Sequence, residues 1–95
     1  MSRELSCFVY ILRMSNGKYY TGISQDYIGR KMQHDKGQSK STKWYRPLEL
    51  VWVTELKNRK TARRLEVMIK YRGGKLFLLH QKHKGDRVHK NILEQ

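Results

Sequence analysis

Cysteine and proline are nearly absent from this sequence of 95 residues, which holds one of each, Cys7 and Pro47. A single cysteine excludes an internal disulfide and a zinc site built from several cysteines, and it is typical of a reducing cytoplasm. No segment approaches the run of about 18 apolar residues that a membrane-spanning helix needs. Residues 1–6 lack the basic-then-apolar order of a signal peptide. We therefore expect a cytoplasmic protein without a membrane segment.

Acidic residues are also scarce. Asp and Glu number 8 against 21 Lys and Arg, so the formal net charge is +13. Such a surplus attracts polyanions, and nucleic acid fits it better than an anionic membrane, because no amphipathic helix presents large exposed apolar residues. Hydrophobic residues make up 38% of the chain, which is too many for a disordered basic tail. The charge therefore indicates a folded protein with a nucleic-acid partner.

The length limits the chain to one domain with a modest core. We place this domain at residues 1–82, and residues 83–95 form a basic C-terminal tail whose composition is typical of poorly ordered chain ends. Strands are predicted over 7–13, 18–23 and 48–56, which are rich in aromatic and β-branched residues. Helices are predicted over 26–36, 59–71 and 75–82. The order β-β-α-β-α-α predicts an α+β fold in the broad α/β class, a three-stranded antiparallel sheet flanked by helices.

Three details of these elements are open to test. Asp26 is the candidate N-cap of the first helix. The apolar stripe of the second helix is predicted to comprise Ala62, Leu65, Met68 and Ile69. In the third helix, Leu76 and Leu79, with Phe77, are expected to pack inward.

The turn Ser15-Asn16-Gly17 joins the first two strands and permits two registers. A two-residue loop, Asn16-Gly17, pairs Tyr10 with Ile23 and places Tyr10 and Tyr20 on opposite faces of the sheet. A three-residue loop with a left-handed Gly17 pairs Tyr10 with Gly22 and places both tyrosines on one face. The residues alone allow either loop.

Five side chains stand out as candidates for chemistry. Tyr10 and Tyr20 lie on neighbouring predicted strands, and Arg30 and His34 share one face of the first helix. Glu66 flanks the apolar stripe of the second helix, where a carboxylate is costly unless it is paired or bound to a cation. Each residue also has a structural interpretation: tyrosines commonly fill sheets, and Glu66 can pair with the lysine four residues later.

Short motifs containing these residues follow one another in order: Phe8-Val9-Tyr10, Tyr20-Thr21-Gly22, Asp26-x-x-x-Arg30-x-x-x-His34 and Glu66. The pair Gln33-His34 and the stretch Arg-Pro-Leu-Glu-Leu-Val at 46–51 accompany them. In order and spacing the motifs resemble the GIY-YIG nuclease superfamily, and in particular its small stand-alone members of a single domain. Gly22 corresponds to the motif glycine; the literal Tyr27-Ile28-Gly29 lies at the start of a predicted helix and is not taken as the motif.

The resemblance implies an enzyme, a hydrolase that cleaves phosphodiester bonds with one divalent cation, Mg²⁺ or Mn²⁺. It makes Glu66 the metal ligand and brings Arg30 to the scissile phosphate. It places Tyr10 and Tyr20 beside the phosphate and the attacking water, which selects the three-residue hairpin loop. One of these tyrosines, or His34, would be the general base. Tyrosine has an ordinary pKa near 10 and histidine one near 6.5, so histidine needs less help at neutral pH.

The expected nucleic-acid contacts lie mainly in the loop after the first helix, where cations alternate with aromatic residues: Lys36, Lys40, Lys43, Trp44, Tyr45 and Arg46. Such a pattern suits a single strand, whose bases stack on aromatic rings. Trp44 could equally pack beneath the loop. Arg63 belongs to a second basic cluster, with Lys57, Arg59, Lys60 and Arg64, that could follow a nucleic-acid backbone.

These observations lead to two hypotheses. The first is a metal-dependent endonuclease acting on DNA, with single-stranded or branched DNA favoured over duplex. The second is a binding module that holds DNA or structured RNA on the same fold without cleaving it. The four residues Tyr10, Tyr20, Arg30 and Glu66 favour the first, since a binder needs positive charge but not a half-buried glutamate.

Overall fold

The computed structural model describes residues 5–80 and the backbone of residues 86–87. Its elements follow the predicted order β-β-α-β-α-α and form an antiparallel sheet flanked by helices, so the predicted fold class is confirmed. The strands are β1 (Cys7–Arg13), β2 (Tyr19–Ser24) and β3 (Glu49–Leu56), and a two-residue strand β4 (Asp86–Arg87) follows later. The helices are α1 (Tyr27–Asp35), α2 (Arg59–Arg72) and α3 (Gly74–His80), with a short 3-10 helix at Lys43–Tyr45.

The sheet has the strand order β2-β1-β3-β4, and its pairs are antiparallel. β1 is therefore an inner strand with helices over both faces, which explains why its sequence is apolar almost throughout. β4 pairs with Trp52 and Val53 of β3 and was not predicted. Apart from β4, the predicted tail at 83–95 lies outside the described residues, as do residues 81–82 at the predicted end of the third helix.

The loop between β1 and β2 has three residues. The N–H of Met14 donates to the carbonyl of Lys18 at 2.8 Å, and the N–H of Gly17 donates to the carbonyl of Met14 at 2.9 Å. Gly17 adopts a φ of 85°, in the left-handed region that glycine tolerates best. This loop pairs Tyr10 with Gly22 and therefore places Tyr10 and Tyr20 on the same face. The two-residue alternative is excluded.

Each face of the sheet carries its own core. On one face, Val9, Ile11 and Trp52 pack with Ala62 and Ile69 of α2 and with Phe77 of α3. The free Cys7 is fully buried there, as a small apolar residue. On the other face, Tyr10 and Leu12 pack with residues of β3, Leu50 and Val53, and with Leu48 just before it. Tyr27 at the start of α1 packs against this second core.

Two predicted apolar stripes need correction. The buried residues of α2 are Ala62, Glu66 and Ile69, and Met68 is exposed. Met68 lies one position from Ile69, about 100° around the helix, so Ile69 faces the sheet and Met68 does not. In α3 the expected Leu76 and Leu79 are exposed, whereas Phe77 and Leu78 pack inward. Gly73, with a φ of 94°, separates α2 from α3. The seven residues of α3 are too few for their apolar pattern to determine which side faces the core.

α1 begins directly after Asp26, the predicted N-cap. The carboxylate of Asp26 accepts from the N–H of Gly29 at 3.0 Å. A side chain at Gly29 would meet that carboxylate, so the glycine inside the helix makes room for the cap. Among the residues that the structure describes, no helix has the length and apolarity to cross a membrane.

Candidate active site

Tyr10 reaches the edge of the sheet by crossing its partner strand. Its ring passes over Gly22 of β2, where a β-carbon would lie only 2.5 Å from the Tyr10 hydroxyl oxygen. The residue is nevertheless 1% exposed, because α1 covers the ring. Its hydroxyl lies 3.2 Å from Nε2 of His34. The absence of a side chain at Gly22 therefore allows the Tyr10 hydroxyl to reach His34 on α1.

Tyr20 completes an aromatic cluster with Tyr10 and His34. Its ring centroid lies 6.5 Å from that of Tyr10 and 5.0 Å from that of His34, in an edge-on arrangement with the imidazole. Tyr20 is partly exposed, whereas the other two are buried. The structure thus brings both predicted tyrosines and the predicted histidine together, with Tyr20 on the solvent side.

His34 is fully buried, and both ring nitrogens have partners. Nδ1 lies 2.7 Å from Oγ1 of Thr42, and Nε2 faces Tyr10. Burial, with the positive charge of Arg30 in second place, lowers the pKa of His34 to about 4. The imidazole is therefore neutral at pH 7 and keeps one nitrogen with a free lone pair, and it is a weaker base than an ordinary histidine.

The Tyr10 hydroxyl is neutral as well. Burial raises the pKa of Tyr10 to about 12, and the charges of Tyr20 and Glu66 act in the same direction. Arg30 acts against them, both as a charge and as a hydrogen-bond donor. Neutral Tyr10 alone is consequently a weak base at pH 7. It can accept a proton from water only if a second group accepts the proton of its hydroxyl.

Arg30 lies one turn before His34 on α1 and is partly exposed. Its Nη1 donates to Oε1 of Gln33 at 2.6 Å. Because its charge acts on Tyr10 and His34 together, the guanidinium borders the aromatic cluster. A guanidinium has five N–H donors, so Arg30 retains donors for a phosphate.

Glu66 approaches the cluster from the other layer. It lies on the buried side of α2, is 5% exposed, and acts electrostatically on Tyr10. One carboxylate oxygen lies 3.3 Å from Nη1 of Arg63 and the other 3.1 Å from Nζ of Lys70. The pairing with the lysine four residues later, which the sequence allowed, is therefore present.

A divalent cation would have Glu66 as its protein ligand. Within residues 5–80, no group of three or more His, Cys, Asp and Glu side chains could enclose an ion. Mg²⁺ commonly binds through one or two carboxylates together with phosphate oxygens and waters, so a single buried carboxylate such as Glu66 fits that cation. Arg63 and Lys70 are largely exposed and can release the carboxylate.

The loop after α1 divides into exposed and structural residues. Trp44 is 78% exposed and does not pack beneath the loop, and Nζ of Lys43 lies 4.9 Å from the centre of its ring. Tyr45, Lys36 and Lys40 are exposed too. Arg46 donates to the carbonyls of Lys43 and Asp35, at 3.0 and 3.1 Å, so it fastens the loop to the end of α1.

One residue in contact with the cluster was not among the candidates. Thr42 is fully buried, and its hydroxyl reaches His34. In the sequence it lies in a polar loop beside Ser39 and Ser41, and no feature of that loop distinguishes it from them. Only the folded loop brings Thr42 back to α1.

A family model described as the GIY-YIG catalytic domain matches residues 6–77. The chain belongs to the GIY-YIG family. The resemblance carried by the tyrosine, arginine, histidine and glutamate motifs is therefore confirmed, and a nuclease-type superfamily is indicated. The match runs from β1 to the buried face of α3 and so includes the aromatic cluster and Glu66.

Several relatives of this GIY-YIG domain are of similar size. A UPF0213 protein from Staphylococcus aureus strain Mu3 is 38% identical over 80 residues, covering 81% of this chain and 98% of its own. A UPF0213 protein from strain Mu50 matches equally well. The solution NMR structure of a UPF0213 protein from Bacillus halodurans is 31% identical, with a TM-score of 0.45, covering 70% of this chain and 71% of its own. None of these names specifies an activity.

Proposed function

We propose that this GIY-YIG domain is a divalent-metal-dependent endonuclease that hydrolyses phosphodiester bonds in DNA. One observation carries the proposal. The Tyr10 hydroxyl lies beside a neutral His34, and the charges of both Arg30 and Glu66 act on its pKa. A proton acceptor, a phosphate-binding cation and a metal-binding carboxylate are the groups that such hydrolysis needs.

Arg30 has the role of phosphate ligand. A phosphodiester is already anionic, and it gains negative charge as water attacks, so the reaction requires fixed positive charge at the phosphorus. The guanidinium is always protonated, borders the cluster and retains donors beyond its bond to Gln33. It can therefore bind the phosphate oxygens and stabilise the transition state.

Tyr10 and His34 act together as the general base. The attacking water gives its proton to the Tyr10 oxygen while Tyr10 gives its own proton to Nε2 of His34, 3.2 Å away. The water oxygen then bonds to phosphorus, the bond from phosphorus to the departing sugar oxygen breaks, and that oxygen takes a proton from solvent. His34 then releases its extra proton to solvent, which its pKa of about 4 favours, and the starting state is restored. This arrangement answers the high pKa of Tyr10, because no free phenolate forms.

Glu66 would hold the Mg²⁺ or Mn²⁺ ion. When bound, the ion supplies Lewis-acid stabilisation of the phosphate oxygens. Binding requires that Glu66 exchange its contacts with Arg63 and Lys70 for the ion. Both cations extend into solvent, where they can turn to the DNA backbone and contribute to binding.

Single-stranded or branched DNA is the favoured substrate. The exposed ring of Trp44 lies next to Lys43, Lys40 and Lys36, so an unpaired base can stack while its phosphates meet lysines. In a duplex each base stacks on the neighbouring base pairs, so its face is not available to a protein ring. The loop therefore supports contacts that duplex DNA lacks.

The test is a cleavage assay on end-labelled single-stranded, branched and duplex DNA of one sequence, with Mg²⁺, with Mn²⁺ and with a chelator. Glu66→Gln is compared with Glu55→Gln, which removes an exposed carboxylate from β3. We expect metal-dependent products from wild type and from Glu55→Gln, and none from Glu66→Gln. Intact DNA in every lane, together with salt-sensitive binding of DNA or structured RNA, would replace the enzyme with the binding module.

A further inference from the structure

Thr42 makes an unusual use of its hydroxyl. It occupies the N-cap of the 3-10 helix Lys43–Tyr45, where a threonine hydroxyl ordinarily accepts from a backbone N–H, yet it makes no capping hydrogen bond. Its Oγ1 instead lies 2.7 Å from Nδ1 of His34, eight residues earlier in the chain. The side chain is fully buried, so this contact is shielded from water.

The direction of this hydrogen bond follows from the groups around Tyr10. The Tyr10 hydroxyl carries a proton that needs an acceptor, and Arg30, whose guanidinium has only donors, cannot supply one. The Tyr10 proton must therefore point elsewhere, and among the described residues the acceptor in contact with it is Nε2 of His34. Nε2 then carries no hydrogen, and in a neutral imidazole the single N–H is on Nδ1. That N–H donates to Thr42.

We propose that Thr42 is a positioning residue that holds His34 in the Nδ1–H tautomer. In this tautomer Nε2 is free to receive the Tyr10 proton; in the other, an N–H would face the Tyr10 hydroxyl and block the transfer. The same Nδ1–H bond remains in place when Nε2 is protonated, so Thr42 orients the ring before and after the transfer. The effect of Thr42 on catalysis rests on the proposed nuclease function, whereas its effect on the tautomer of His34 is independent of that function.

The tautomer is measured directly by ¹⁵N NMR of the full chain, with the His34 signals assigned by their loss in His34→Gln. We expect a protonated Nδ1 and an unprotonated Nε2 in wild type. Thr42→Val keeps the shape of the side chain and removes the hydroxyl, so it should shift the ring toward the Nε2–H form. Thr42→Ser should restore the wild-type tautomer. Ser39→Ala, which removes another buried hydroxyl from the same loop, should leave it unchanged.

Cleavage kinetics supply the second measurement. Thr42→Val should lower kcat roughly 10- to 100-fold while KM for DNA changes by less than about 2-fold, and Thr42→Ser should recover most of the rate. An Nε2–H tautomer in wild type overturns the proposal even if Thr42→Val fails to fold. An unchanged tautomer in a folded Thr42→Val also overturns it. If no variant or wild type cleaves DNA but the tautomer follows Thr42, the nuclease function fails and the positioning role stands.

Discussion

The side chain of Tyr10 lies directly over Gly22 where it crosses strand β2, and its hydroxyl occupies the space next to the α-carbon of that glycine. The two residues are direct partners in the β1–β2 ladder, and a β-carbon at Gly22 would lie 2.5 Å from the hydroxyl oxygen and 2.6 Å from Cζ of the ring. Such distances are far inside ordinary contact, and the ring is held by the core around it. The motif glycine is therefore required for space and not for an unusual backbone conformation.

Gly22→Ala should displace Tyr10 and lose about 1–3 kcal/mol of unfolding free energy, the usual cost of overpacking. Urea denaturation measures this loss. In a Tyr10→Ala background the same change should cost almost nothing, because the atoms that it meets are gone. A loss of equal size in both backgrounds would show that Gly22 matters for the strand itself and not for the tyrosine.

The stability of the fold should depend on pH through His34. Its pKa is about 4 in the folded protein and about 6.5 when unfolded, so between these values the unfolded chain binds more protons. Unfolding free energy should therefore rise with pH across this window, and it should fall by about 1–3 kcal/mol as pH decreases from 6.5 to 4.

Urea titrations of wild type, His34→Gln and His80→Gln at several pH values provide the measurement. His80 is exposed at the end of α3, so its replacement should keep the wild-type slope. His34→Gln should reduce the dependence of unfolding free energy on pH. The part that remains comes from acidic groups, which wild type and variant share. Identical slopes in wild type and His34→Gln would contradict the buried neutral imidazole.

Trp44→Ala should weaken binding of single-stranded DNA by roughly 5- to 150-fold, which corresponds to about 1–3 kcal/mol of lost stacking. Stability should hardly change, because the ring is 78% exposed. Tyr71→Ala, which removes a ring that is 92% exposed on α2, is the matched control and should bind normally. Fluorescence anisotropy on single-stranded and duplex DNA separates the effects. Equal weakening for both forms would indicate a general contact and not base stacking.

Glu66→Gln should separate catalysis from folding. Arg63 and Lys70 can turn to water when the carboxylate is lost, so we expect the unfolding free energy to change by less than about 1 kcal/mol. Mn²⁺ binding to the DNA complex, followed by electron paramagnetic resonance, should be lost, and cleavage should fall at least about 100-fold. Glu55→Gln should retain both. Unchanged Mn²⁺ binding in Glu66→Gln would remove this residue from the metal site.

Local chemistry made much of the fold predictable. The strands are rich in aromatic and β-branched residues, the carboxylate of Asp26 caps the first turn of α1, and Gly73 ends α2. The predicted element order and most boundaries were therefore correct to within a residue or two. The faces of α2 and α3 were less predictable. Met68 and Ile69 are adjacent and both apolar, and only the sheet beneath them determines which is buried.

The sequence by itself determined the basic charge, the order of the elements and the set of motifs that place the chain in the GIY-YIG family. The tertiary structure decided the three-residue hairpin, the exposure of Trp44 and the contact between Thr42 and His34. The physical reason is the distance along the chain over which each interaction acts. Capping, turns and periodicity act over a few residues, whereas burial and the hydrogen bonds of buried groups depend on segments that meet only when the chain folds.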